Sequence, residues 1–230
     1  MKTLGIIGGM SWESSAAYYR IINQEVGCRL GGNHSAKLIL SNADFEEFVQ
    51  WQKADDWAAV ERAVDGMAQG LVLAGAECVV IACNTQHEVA DAVADRLSVP
   101  LLHIADAAGE AIRKAGLNRV GLMGTRFTME RAFFRRRLKE RFGIEVILPH
   151  EPDKDFIHRT IYEEFGRGIF SDTTRGRYLE MIGRLADRGA EGVVLGCTEI
   201  PLLVRPEHTE VPLFDTTTLH AMAAVDFCLS

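Results

Sequence analysis

Two cysteines occupy matching points of the chain. Cys83 closes the apolar run Val79-Val80-Ile81-Ala82, and Cys197 closes Val193-Val194-Leu195-Gly196. Each is followed by residues suited to opening a helix: Asn84, Thr85 and Gln86 in one case, Thr198 and Glu199 in the other. A thiol at a helix start is expected to favour its thiolate, because the helix dipole and the first backbone N–H groups both stabilise negative charge there. Two such thiols facing one cleft could invert a carbon centre. One, as thiolate, removes a proton; the other, as thiol, returns one from the opposite side; the reverse reaction exchanges the roles. The carbanion between the two steps needs preorganised donors in a dry site, and the hydroxyls of Thr85, Thr125 and Thr198 with the amide of Asn84 are the candidates. Cys28, Cys78 and Cys228 read as small buried apolar side chains, the common fate of a free cysteine.

The elements that would carry these thiols are legible as an α/β pattern. Strand-like runs fall at Leu4–Ile7, Leu38–Leu40, Cys78–Ala82, Leu101–Ile104, Val120–Met123, Val146–Leu148, Val193–Leu195 and Leu213–Phe214, with no polar alternation. That is expected of parallel strands covered on both faces. Helical spacing of apolar residues predicts helices over Asp55–Ala74 and Thr173–Arg188. The chain also repeats itself. The two cysteine runs are offset by 197 − 83 = 114 residues, Val99-Pro100-Leu101-Leu102 and Val211-Pro212-Leu213-Phe214 by 112, and Gly5-Ile6-Ile7-Gly8 and Val120-Gly121-Leu122-Met123-Gly124 by about 115. Three matches in one order predict two similar lobes, each a parallel sheet flanked by helices, related by a pseudo-twofold with the site in the cleft between them. The first lobe is expected to hold residues 1–104 and 211–230, the second 105–210.

Composition narrows the function classes. A formal net charge of −7 on 230 residues disfavours nucleic acid and anionic membranes as partners. The basic stretch from Arg131 to Arg141 is expected to be a solvated helix face. Five widely spaced cysteines without a C-x-x-C pair fit free thiols in a reducing cytoplasm, and no apolar run suits a signal peptide or a membrane span. No lysine sits at a strand end in a Gly/Ser/Thr-rich setting, which disfavours a pyridoxal cofactor, and no four-ligand zinc spacing is present. Gly5-x-x-Gly8-Gly9 lacks dinucleotide spacing; it reads as a tight turn with Ser11 as N-cap, whose backbone N–H groups could also meet a substrate carboxylate. His87, four residues after Cys83, could tune the thiol, serve as its base, or stand behind it as a supporting residue.

At these residues the sequence resembles the aspartate/glutamate racemase superfamily. Ile81-Ala82-Cys83-Asn84-Thr85-Gln86-His87 is similar to its first signature, Leu195-Gly196-Cys197-Thr198-Glu199-Ile200-Pro201 to its second, and Gly8-Gly9-Met10-Ser11-Trp12-Glu13-Ser14 to the aspartate branch. The resemblance implies two α/β lobes, no cofactor, no metal, a homodimer, and two-base racemisation of aspartate and/or glutamate through Cys83 and Cys197. It places Gly9, Met10, Gln52, Asn84, Thr85, Thr125, Phe127, Thr128, Thr198, Glu199 and Arg167 around the substrate. Two departures bear on specificity. Glu199 stands where cell-wall glutamate racemases usually carry histidine, and Asn42-Ala43-Asp44-Phe45-Glu46-Glu47 lacks the arginine that aspartate-specific relatives often use. Arg126 and Arg167 are the remaining carboxylate clamps, and a polar pocket on Gln52 would instead suit neutral or broader substrates. Maleate isomerase-like chemistry on the same cysteines is the other enzyme reading, and a non-catalytic amino-acid binding protein is the reading from outside enzymes.

Overall fold

A computed structural model describes residues 1–230. The chain divides into two compact units, Met1–Ile104 with His220–Ser230, and Ala105–Leu219. The first unit runs β1 (Leu4–Gly8), α1 (Trp12–Leu30), β2 (Leu38–Asn42), α2 (Phe45–Lys53), α3 (Trp57–Leu73), β3 (Cys78–Ile81), a 3-10 turn (Thr85–Val89), α4 (Ala90–Ala94) and β4 (Leu101–Leu102). α5 (Ile104–Lys114) carries the chain into the second unit, which runs β5 (Arg119–Gly124), α6 (Arg126–Glu130), α7 (Ala132–Phe142), β6 (Glu145–Ile147), α8 (Glu151–Glu163), a 3-10 turn (Phe165–Arg167), α9 (Asp172–Asp187), β7 (Val193–Gly196), α10 (Ile200–Leu203) and β8 (Leu213–Asp215). α11 (Thr216–Leu229) takes the tail back to the first unit. All eight expected strands form.

Each unit holds one four-stranded, wholly parallel sheet, ordered β2-β1-β3-β4 in the first and β6-β5-β7-β8 in the second. The expected boundary at residue 211 is corrected by this pairing. Val193 and Val194 of β7 register with Leu213 and Phe214 of β8, so residues 211–219 stay with the second sheet.

The inner strands β1 and β3 of the first sheet are buried on both faces, which is why they read as unbroken apolar runs. Ile7, Val79 and Ile81 face Val60, Val64, Ala68 and Leu71 of α3. Leu4, Ile6, Val80 and Ala82 face Tyr18, Ile22 and Val26 of α1 and Ala221, Ala224 and Val225 of α11. The three- and four-residue spacing on the helices and the two-residue spacing on the strands sort these side chains onto their faces, and each large one buried contributes roughly 1.5–3 kcal/mol.

The repeat extends to a detail below the strands. α3 and α9 are both followed, one residue past the helix, by Gly-Ala-Glu. Gly75 and Gly189 adopt φ +97° and +91°. Ala76 N–H reaches Leu71 O and Gly75 N–H reaches Val72 O; Ala190 reaches Leu185 O and Gly189 reaches Ala186 O in the same manner. This is the doubled closure that a left-handed glycine gives a helix end. The glutamates then clamp the start of the neighbouring strand: Glu77 accepts from Thr3 N–H at 2.7 Å, and Glu191 from Asn118 and Arg119 N–H at 2.8 and 2.9 Å. The two amides hold the Glu191 carboxyl below the usual carboxylate range.

Candidate active site

In both units the cysteine lies just past the carboxyl end of an inner strand, beside a loop that leaves the adjacent strand. In the first unit that loop is Gly8-Gly9-Met10. Gly9 has φ +93°, and a Cβ there would sit 2.3 Å from Ala43 O and 2.5 Å from Ala43 N, so only glycine fits. Gly9 N–H donates to Ser15 Oγ at 2.8 Å, and Ser11 caps α1 as expected, accepting from Ser14 N–H. Ser14 Oγ donates to Ala82 O at 2.5 Å, tying this loop to the residue before Cys83. In the second unit Gly124 pairs with Gly196, and a Cβ on Gly124 would meet Gly196 O at 2.5 Å. Thr125 and Cys197 directly follow these two paired glycines. Thr125 accepts from Thr128 N–H at 3.2 Å, and the two hydroxyls lie 3.2 Å apart, both buried.

The thiols differ in setting. Cys83 is partly exposed; Cys197 is 8% exposed. Cys197 Sγ donates to Glu199 Oε2 at 2.9 Å, and Thr198 Oγ1 donates to the same oxygen at 2.8 Å. Glu199 therefore holds the thiol itself, a role not expected from its place in the signature. The helix-start expectation is corrected at both cysteines. Cys83 leads into a five-residue 3-10 turn and then the five-residue α4, and α10 after Cys197 has four residues, with no side-chain cap from Asn84 or Glu199. So few aligned peptides give little dipole at either cysteine.

Other expected residues separate clearly. Met10, Gln52, Asn84 and Thr85 are buried in the first unit. Both polar atoms of Gln52, 4% exposed, lack a hydrogen-bond partner. Phe127 is half-buried, 6.1 Å from the ring of His158. Arg126 is engaged by Asp155, Glu151 and Glu130, which satisfies its guanidinium with three carboxylates and removes it as a clamp. Arg167 is exposed on its 3-10 turn. Asp44, in the stretch lacking the arginine, caps α2 through Glu46 N–H. The sequence reading missed Gln86, fully buried with both amide atoms unpartnered, and Thr217, buried with an unpartnered hydroxyl. Their positions, three residues past Cys83 and two past β8, were the available signal. Of the remaining cysteines, Cys78 and Cys228 are buried, and their mutual hydrogen bond with burial pushes the Cys78 thiol up, so it stays protonated. Cys28 is exposed rather than buried, a correction: it falls on the outward face near the end of α1.

A cavity of about 450 Å³ lies elsewhere, between α7 and β6, among Arg119, Arg135, Arg136 and Lys139, and includes no expected site residue. No group of three or more His, Cys, Asp or Glu side chains could hold a metal ion, and no helix is long and apolar enough to cross a membrane.

Comparison with known proteins identifies the family and the fold. The family model described as Asp/Glu/Hydantoin racemase matches residues 7–224. A Yersinia pestis protein whose crystal structure is described as that of a candidate Asp/Glu racemase is 49% identical, with each chain covered fully and a TM-score of 0.94. An aspartate racemase homologue from Pyrococcus horikoshii is 32% identical over the full length of both, with a TM-score of 0.86. Glutamate racemase from Exiguobacterium sibiricum is 27% identical over 175 residues, 70% of this chain and 61% of that protein. The chain thus spans roughly three fifths of the length of the curated relatives it matches.

Proposed function

Because the chain belongs to the Asp/Glu/Hydantoin racemase family, we propose that it is a cofactor-independent amino-acid racemase working by two-base proton transfer between Cys83 and Cys197. The observation that carries this reading is the equivalence of the two thiols: each lies past the carboxyl end of the strand third in its sheet's order, beside a glycine loop from the neighbouring strand. The reaction requires the two sulfurs to flank one α-carbon. One thiolate takes the α-proton and becomes a thiol. The opposite thiol delivers its proton to the other face of the carbanion and becomes a thiolate. The product is the mirror-image amino acid, and the two cysteines have exchanged protonation states. The hydroxyls of Thr85 and Thr125 are the proposed donors to the substrate carboxylate, where negative charge builds up, because Gly9 N–H and the Thr198 hydroxyl already donate to Ser15 Oγ and Glu199 Oε2. Free thiols on both sides require reducing surroundings, consistent with a cytoplasmic enzyme, and a homodimer is the proposed assembly.

Aspartate and glutamate are the proposed substrates from the family. A second reading, small neutral or mixed substrates, is favoured by one observation. Arg126 is taken up by three carboxylates and Arg167 is exposed, while the buried amides of Gln52 and Gln86 have no partner. Amides of that kind recognise a polar, uncharged side chain at lower desolvation cost than a carboxylate.

The test is α-proton exchange in deuterated water with each enantiomer of acidic and neutral amino acids. The wild type is expected to racemise at least one pair. Cys83→Ser and Cys197→Ser should each lower racemisation about 1000-fold or more while leaving exchange of one enantiomer, a different one in each variant. Retention of all protium across the panel ends the reading.

A further inference from the structure

The ring of His87 is 1% exposed, and both of its nitrogens meet backbone atoms. Nε2 accepts from Ile104 N–H at 3.2 Å, so it carries a lone pair. Nδ1 lies 2.8 Å from the carbonyl oxygen of Cys83, which has no proton to give, so Nδ1 carries the hydrogen. Together the two bonds select one form: neutral, protonated on Nδ1. Ile104 is the first residue of α5, and its N–H is among those a helix leaves without an internal partner. His87 supplies that partner. A protonated ring would lose this bond and set a cation at a helix start. His220 lies 5.6 Å from His87, ring to ring, and is held likewise, with Nε2 2.8 Å from Leu102 O and Nδ1 2.9 Å from the Tyr18 hydroxyl. Beyond Ala82, whose N–H bonds Ile7 O, the chain leaves the β-ladder. From there the two successive carbonyls are gripped by side chains, Ala82 by Ser14 and Cys83 by His87.

We propose that His87 is a positioning residue for Cys83: its Nδ1–H grips the cysteine's own carbonyl, with the proton kept on that nitrogen by the Ile104 amide, and so fixes the backbone torsion that aims the sulfur. His87 is not the thiol's base, because both nitrogens are engaged by backbone. The inference rests on the racemase reading for its kinetic consequence, since misplacing a reacting atom by about 1 Å costs on the order of 100-fold in rate.

Two substitutions separate the two bonds. In His87→Asn the amide nitrogen takes the place of Nδ1 and keeps the grip on Cys83. In His87→Gln the amide oxygen takes the place of Nε2 and keeps the Ile104 bond while losing the grip. His87→Gln is expected to lower kcat about 100-fold with KM changed less than about threefold, and His87→Asn to stay within about tenfold of wild type. In His87→Gln the isotope effect of an α-deuterated substrate should rise for the enantiomer that Cys83 deprotonates, identified as the one whose exchange Cys83→Ser abolishes. In the other direction, unreacted substrate should take up solvent deuterium. A purely structural loss would change both directions alike. A second arm does not depend on catalysis: alkylation of Cys83 by iodoacetamide, followed by mass spectrometry, should quicken at least fivefold in His87→Gln and less than twofold in His87→Asn, with Cys197 unchanged in both. The reverse order of the two variants, equal effects, or unaltered Cys83 alkylation overturns the proposal. A wild type without α-proton exchange overturns the racemase reading, and the alkylation arm then decides the positioning role alone.

Discussion

The two units present the same frame with opposite chemistry at its centre. The offset of 114 that matches Cys83 to Cys197 also matches Asn84 to Thr198 and Thr85 to Glu199. In the first unit the cysteine's backbone is held by a neutral imidazole, and its neighbours are amides and a hydroxyl. In the second the thiol itself is held, by a buried carboxylate that also takes the Thr198 hydroxyl. In that hydrogen bond the Cys197 thiol is the donor, and the position matching Glu199 in the first unit is Thr85. Under the two-base reaction proposed above, the two sides would start unequal, with Cys197 as the proton donor and Cys83 as the base.

Glu199→Gln breaks that asymmetry most directly. It keeps an acceptor for the thiol and removes the charge. A hydrogen bond to a charged group is worth about 1.5–3 kcal/mol, which converts to a loss of roughly 10- to 150-fold in kcat. Circular dichroism of product formation measures it, with thermal unfolding as control. An unchanged kcat would mean the carboxylate is incidental to Cys197, and the contrast between the units would lose its meaning.

How much of this was legible in the chain depends on the scale. The strands were, because a parallel strand covered on both faces must be apolar at every position, and Val79–Ala82 or Val193–Gly196 permits little else. The repeat was legible for the same reason, and Gly75-Ala76-Glu77 with Gly189-Ala190-Glu191 extends it. The ownership of Leu213–Asp215 was not: a three-residue strand looks the same whichever sheet it joins, and the apolar tail from Thr216 onward pulled the boundary to 211. The cysteines were legible from type and position, but their partners were not. His87 reads as a helix-face neighbour at four residues' spacing, whereas a 3-10 turn points its ring back at Cys83 O. Arg126 reads as a clamp until Glu130, Glu151 and Asp155 are seen converging on it, and two of those come from a different helix. Side-chain pairing across elements leaves no periodicity to read.

The adjacent threonines at the start of α11 sharpen the second unit's half of the comparison. Thr216 Oγ1 donates to Leu195 O at 2.8 Å, bracing the strand that carries Cys197. Thr217 Oγ1 is buried without a partner. Thr216→Val should cost about 1–2 kcal/mol, or roughly 2–8 °C in Tm. Thr217→Val should leave stability within about 0.5 kcal/mol of wild type or raise it, because an unsatisfied hydroxyl is removed. If Thr217 waits for substrate, the same variant raises KM. Equal destabilisation by both would mean that Thr217 has a structural partner and is not held in reserve for a ligand.

The smallest effect concerns acid. His158, in the second unit, has its pKa lowered from 6.5, first by burial and then by the Arg126 guanidinium, with Asp155 and Glu130 opposing in part. Its Nδ1 accepts from Arg126 N–H at 3.2 Å, which requires the neutral ring. Proton binding sets the sign. Below pH 6.5 the unfolded chain binds a proton that the folded site resists, so stability falls as pH drops through 6.5 and levels off once the folded site also protonates. The ring is only partly buried, so solvent screening keeps the contribution well under about 1 kcal/mol. His158→Asn keeps an acceptor for Arg126 and cannot titrate. Urea midpoints at about pH 7.5 and 5.5 should therefore differ less in this variant than in wild type. An unchanged pH dependence would mean that burial beside Arg126 gives His158 no share in the protein's acid sensitivity.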